Sequence, residues 1–150
     1  MSSNRVCATL GYRDAAVAME FLVRAFGFEK LAVYEMGPNN IAHAELRGPG
    51  GGDGLVMLHT AAPGNAIVDI TANVSGGYPP FAIHVDTDEP DALFARAVAA
   101  GAKVVRTISD SPRGTRDFIV QDPEGLLWSF GTPLPALARD ATGEYKPTHQ

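Results

Sequence analysis

Cysteine is almost missing from this 150-residue chain: Cys7 stands alone. An intramolecular disulfide framework is therefore excluded, as expected of a protein kept in a reducing cytoplasm. Long apolar runs are missing too. No stretch approaches the roughly 18 consecutive apolar residues of a membrane span, and the polar opening Met1–Arg5 leads into no apolar leader segment. Nor is there an excess of positive charge. The 12 Lys and Arg against 17 Asp and Glu leave a formal net charge of -5, which argues against a nucleic-acid partner and favours a neutral or cationic small molecule. The glycine-rich stretch Gly48–Gly54 lacks the Gly-Lys-Ser/Thr ending of a phosphate loop and precedes a strand, so a nucleotide site is rejected there.

What is present suits one compact globular domain over residues 1–150, with 45% hydrophobic and 19% charged residues. The chain repeats itself. A strand-like run ending at Asp14 leads into a helical run Ala15–Phe26 closed by Gly27, and a second run leads through Asp88 into Glu89–Ala100, closed by Gly101. The Asp-to-Gly interval is the same in both copies. Met19, Leu22, Val23 and Phe26 share one face of the first helix, with Asp14 as N-cap and Gly27 as left-handed C-cap. In the second, Asp88 stands near the cap and Pro90 in the first turn. Phe28–Met36, Asn40–Arg47 and Leu55–Thr60 read as strands after the first helix, and Lys103–Ile108, Thr115–Gln121 and Leu126–Gly131 after the second. The expected fold class is α+β, built from paired βαβββ modules. Module one covers about 5–60, a connecting loop 61–79, module two about 80–132 and a C-terminal tail 133–150.

The segments Leu10-x-Tyr12-x-Asp14, Phe21–Phe28 and Gly114-x-Arg116-x-Phe118-x-Val120-x-Asp122-Pro123-Glu124-Gly125-x-x-Trp128-x-Phe130-Gly131 together resemble the vicinal oxygen chelate superfamily. That group contains glyoxalases, bleomycin-resistance proteins and ring-cleaving dioxygenases. The resemblance spans about residues 6–132 and implies a curved mixed sheet forming a cup with helices outside. It speaks weakly to function, because one scaffold hosts many chemistries. In metal-using relatives the ligands are two His and a Glu, at positions held here by Cys7, Pro80 and Ser129. None of the three suits a divalent ion that wants imidazole or carboxylate donors, so no metal and no cofactor is expected.

Strand alternation then selects what lines the cup. The expected ligand-binding residues are His43, Glu45, Met57, His59, His84, Asp86, Ile119 and Leu127; no catalytic residue is assigned. Trp128 has helix-facing parity, and Arg116 reads as a rim residue. The resemblance implies a homodimeric binding protein that holds an antibiotic or related metabolite in a cleft; the three lost ligands make the expected member metal-free, and charge and composition leave no nucleic-acid or membrane partner expected. An alternative stays open: a lyase, isomerase or transferase using a relocated metal site of His43, His59, His84 and Glu45, or a cavity histidine as general acid or base.

Overall fold

The computed structural model describes residues 5–62, 78–79 and 81–133. Its elements run β1 (Ala8–Tyr12), α1 (Ala15–Phe26), β2 (Glu29–Glu35), β3 (Ile41–Arg47), β4 (Leu55–Thr60), β5 (Ala82–Asp86), α2 (Pro90–Ala99), β6 (Lys103–Asp110), β7 (Arg116–Gln121) and β8 (Leu127–Gly131), with a short 3-10 turn at Pro49–Gly51. The βαβββ unit thus occurs twice. The strands form two four-stranded mixed sheets, ordered β1-β4-β3-β2 and β5-β8-β7-β6. In each, the first strand pairs in parallel with the last, and the remaining ladders are antiparallel. The connecting loop and the tail lie almost wholly outside the described residues, as does Pro80.

Local chemistry sets the helix ends. The Asp14 side chain accepts from Val17 N at 3.1 Å, and Gly27 adopts φ 78° so that its N–H and that of Phe28 can turn back onto Val23 and Leu22. The second helix departs from the expected pattern by one residue. Its N-cap is Glu89, with Pro90 at the first helical position and Thr87 Oγ1 accepting the Glu89 N–H at 3.1 Å. Asp88 therefore lies just outside the helix, since proline claims the position whose N–H needs no partner.

One core serves both modules. Phe26 of α1 packs on Trp128 and Phe130 of β8 at ring-centroid distances of 5.4 and 4.8 Å. Module two also holds α1 at both ends: Glu124 accepts the Arg13 and Asp14 N–H groups at 2.8 and 2.9 Å, while Arg96 donates to the Arg24 and Val23 carbonyls at 2.8 and 3.1 Å. The second contact puts a cation at the negative end of the helix.

Beneath these contacts lies a buried polar knot. Asp122 accepts from Tyr12 Oη at 2.7 Å, Trp128 Nε1 at 3.0 Å and the backbone N–H groups of Glu124 and Leu126 at 3.0 and 3.1 Å. Burial, then the neighbouring Asp122 charge, holds the Tyr12 phenol well above its ordinary value of 10.0. A proton held more tightly in the folded state lends stability that is complete below the unfolded value and is lost as pH rises through the folded one. Urea unfolding of the wild type should therefore show stability falling above about pH 10. Tyr12→Phe, costing about 1 kcal/mol at neutral pH, should flatten that alkaline limb. Equal slopes for the two proteins would contradict the assignment.

Candidate functional site

Each sheet has a face packed on the helices and an opposite, inner face. On the helix side Leu10, Leu46, Val56 and Leu58 of the first sheet, and Phe118, Val120, Trp128 and Phe130 of the second, are buried. Trp128 is thus a core residue, as its parity predicts. The inner face of the first sheet carries a row of Thr9, Met57 and Glu45, with His59 beside Gly11 and His43 beside Tyr34. The inner face of the second carries His84, Ser129, Ile119 and Arg106 in one row, Asp86, Gly131 and Asp117 in the next, and Leu127 beside Ala82.

The eight expected site residues all fall on these inner faces, four on each sheet. They are not gathered into one three-histidine cluster. His43 and His59 belong to the first sheet, His84 to the second. His43 Nε2 lies 3.1 Å from Glu45 Oε1, and its ring is 6.1 Å from that of Tyr34. His84 is held between two partners, with Nδ1 2.9 Å from Ser129 Oγ and Nε2 3.1 Å from Asp86 Oδ1. Among the described residues, no three or more His, Cys, Asp or Glu side chains come together as a metal site. At the positions that resemblance assigns to metal ligands, Cys7 is a partly exposed free thiol and Ser129 is engaged with His84.

Among the described residues, two cavities lie where the modules meet. One, of about 390 Å³, runs from Val6 and Ala8 past the Gly48–Leu55 loop to His84 and Asp86. The other, of about 590 Å³, sits between the end of α1, the same glycine loop and the start of α2, and Asp86 borders both. His43, Glu45, Met57, His59, Ile119 and Leu127 line neither of them. They stand on faces that one chain leaves partly open, with Tyr34 61% exposed at the rim of the first.

Sequence reading missed three charged residues of the inner faces. Arg106 donates through Nη2 to Asp117 Oδ1, and Thr115 Oγ1 donates to Asp117 Oδ2 at 2.9 Å. Gly131 makes room for this pair, because a Cβ there would fall 2.6 Å from Asp117 Cβ. Arg47 donates to Glu29 at 2.6 Å, and its buried Nε finds no acceptor among the described residues. Alternation along β3 and β7 would have placed Arg47 and Asp117 on the inner side. Arg106 follows a register shift in the β6–β7 ladder that no sequence signal marks. Arg116, read as a rim residue, is committed to Asp91 through paired 2.8 Å bonds and to Asp110 at 3.2 Å. The paired bonds from Arg116 lower the Asp91 carboxyl below its ordinary range.

Residues 5–130 match the family profile described as Glyoxalase/Bleomycin resistance protein/Dioxygenase superfamily. An uncharacterised protein of Mycobacterium bovis is 35% identical over 127 residues, a span covering 85% of this chain and 82% of its own. Among solved structures, TioX from Micromonospora sp. ML1 is 34% identical with a TM-score of 0.66, over 87% of this chain and 98% of that one. TnmS3, an antibiotic binding protein from Streptomyces sp. CB03234, shares the fold at 23% identity and a TM-score of 0.64, over 89% and 98%.

Proposed function

This chain belongs to the glyoxalase, bleomycin-resistance and dioxygenase superfamily, and from that membership we propose that it is a small-molecule binding protein holding an antibiotic or related metabolite without a metal. The observation that carries the reading is the composition of the inner faces. Met57, Ile119 and Leu127 are left partly exposed there, beside oriented polar pairs in which His43 meets Glu45 and His84 meets Asp86. Apolar area with a few fixed polar groups is what a small organic ligand requires. The acceptors Glu45 and Asp86 suit a cationic ligand, in keeping with the net charge of -5. The antibiotic-binding description of TnmS3, on the same fold, is consistent with this reading.

A second copy of the chain completes the cleft. The outer strand β2 and its end expose Leu31, Val33, Tyr34 and Met36, an apolar load that an unpaired edge strand ordinarily avoids. Light scattering should return twice the chain mass.

The test of the function is a melting-temperature panel of antibiotics and metabolites on metal-stripped protein, since a ligand that binds only the native state raises its melting point. At least one cationic or amphipathic compound should do so. For that compound, Glu45→Gln is expected to weaken binding by roughly tenfold or more while shifting the ligand-free melting point by no more than about 3 °C, because Glu45 is only half-buried and the amide keeps an oxygen facing His43. A panel without a single shift would contradict the reading.

A further inference from the structure

We propose that Ser129, activated by His84 and Asp86, accepts acyl groups from small aryl esters, giving the inner face of the second sheet a hydrolytic chemistry of its own. Contact geometry sets the direction of the relay. A carboxylate can only accept, so the 3.1 Å contact to Asp86 places the hydrogen on His84 Nε2. In the neutral form of the imidazole the lone pair is then on Nδ1, and the Ser129 hydroxyl 2.9 Å away is the donor. The proton that must leave a serine before it attacks is thus already directed at a base, and the base is oriented by a third group.

The sheet itself builds this arrangement. His84 and Ser129 are register partners on the parallel strands β5 and β8, and Asp86 lies two residues along the same strand and so on the same face. The matching strand pair of the first sheet presents Thr9 and Met57, so the relay occurs once per chain among the described residues. With the His84 side chain 52% exposed, a small ester reaches it without any opening of the fold.

The chemistry balances as ester plus water to acid plus phenol. Ser129 Oγ bonds to the ester carbonyl carbon while its proton passes to His84 Nδ1. Collapse of the adduct breaks the carbon–oxygen bond to the aryl oxide, which leaves with that proton. Water then adds to the acyl group on Ser129, giving a proton to Nδ1, and the acid departs as Ser129 Oγ takes the proton back. With the His84 side chain half exposed among the described residues, solvent is what meets the developing oxyanion, in place of the pre-aimed donors of a built oxyanion hole. That confines the reaction to esters with a good leaving group and keeps it slow. The proposal stands apart from the binding reading: a ligand panel without hits leaves it untouched.

The experiment treats full-length protein with p-nitrophenyl acetate and, separately, with diisopropyl fluorophosphate, followed by intact-mass and peptide mapping. A burst approaching one equivalent of p-nitrophenolate is expected, with the acetyl or phosphoryl group on Ser129. Ser129→Ala should abolish adduct and burst. Loss of the base in His84→Gln should slow acylation by about 10²–10³-fold, the scale of general-base assistance, and Asp86→Asn by about tenfold. Adducts confined to other residues, or a Ser129→Ala protein that turns over the ester as fast as wild type, would overturn the proposal. Should that variant fail to fold, the wild-type adduct map and the rate of Asp86→Asn decide the matter by themselves.

Discussion

Asp122→Ala is expected to lower the stability of this protein by about 3–5 kcal/mol, the scale seen when one side of a buried charged network is removed. The reason is the number of donors left behind. Alanine strands the Tyr12 hydroxyl, the Trp128 indole N–H and the backbone N–H groups of Glu124 and Leu126, all of which Asp122 serves in the folded state. Each unsatisfied buried donor costs about 1–3 kcal/mol. The sum overshoots, because the carboxylate carries a desolvation cost of its own: burial pushes the Asp122 carboxyl above its ordinary range despite those bonds. The sign matters for acid stability. A raised carboxyl contributes stability that is complete below its unfolded value and lost as pH rises through its folded value. Mild acid should therefore not unfold the protein through Asp122. Urea titration at pH 7 should show the loss, with Asp122→Asn falling about half as far because its amide oxygen still accepts from two donors. An alanine variant within about 1 kcal/mol of wild type would show that the knot does not join the modules.

Trp128→Ala should cost a similar amount, about 3–5 kcal/mol, by the cavity it opens in a close-packed interior. Trp128 is fully buried and packs against Phe26, Phe28 and Phe130 at centroid distances of 5.4, 5.5 and 6.4 Å. It stands where α1 of one module meets β8 of the other, so the void falls on their seam. Trp128→Phe should retain most of the packing and lose the N–H bond to Asp122, for roughly 1–2 kcal/mol. Since Trp128 and Asp122 share that bond, the double alanine variant should be less destabilised than the two singles added together, by about 1 kcal/mol. Circular dichroism with denaturant reads all four proteins. Strict additivity would contradict the shared bond.

Much of the fold is legible in the chain because its punctuation is local. Asp14 and Gly27 mark α1 at both ends, and alternation within Leu55–Thr60 recovers β4 with its true limits. The cap of α2 slips to Glu89 because Asp88, Glu89 and Pro90 offer two acceptable starts, and only the turn accepted by Thr87 Oγ1 selects between them. Strand β6 runs on to Asp110, past the apolar stretch, since Ser109 and Asp110 are paired with Asp117 and Arg116 across the ladder. The candidate site is less legible for a physical reason. Alternation tells which face a residue occupies, but not which sheet edge or module lies opposite. It puts His43, His59 and His84 on inner faces correctly, while the division into two sheets keeps them from forming one cluster. Long-range ties such as Tyr12 to Asp122 and Arg96 to the end of α1 leave no periodic trace at all.

The central claim is that the inner faces bind a small molecule by their own side chains. Its most direct test is a calorimetric titration of the best panel compound into metal-stripped protein, with and without excess chelator. One ligand per chain is expected, with affinity unchanged by the chelator and weakened by Glu45→Gln. Binding that appears only when a divalent ion is restored, or that ignores substitution of Glu45 and Asp86 alike, would contradict the account.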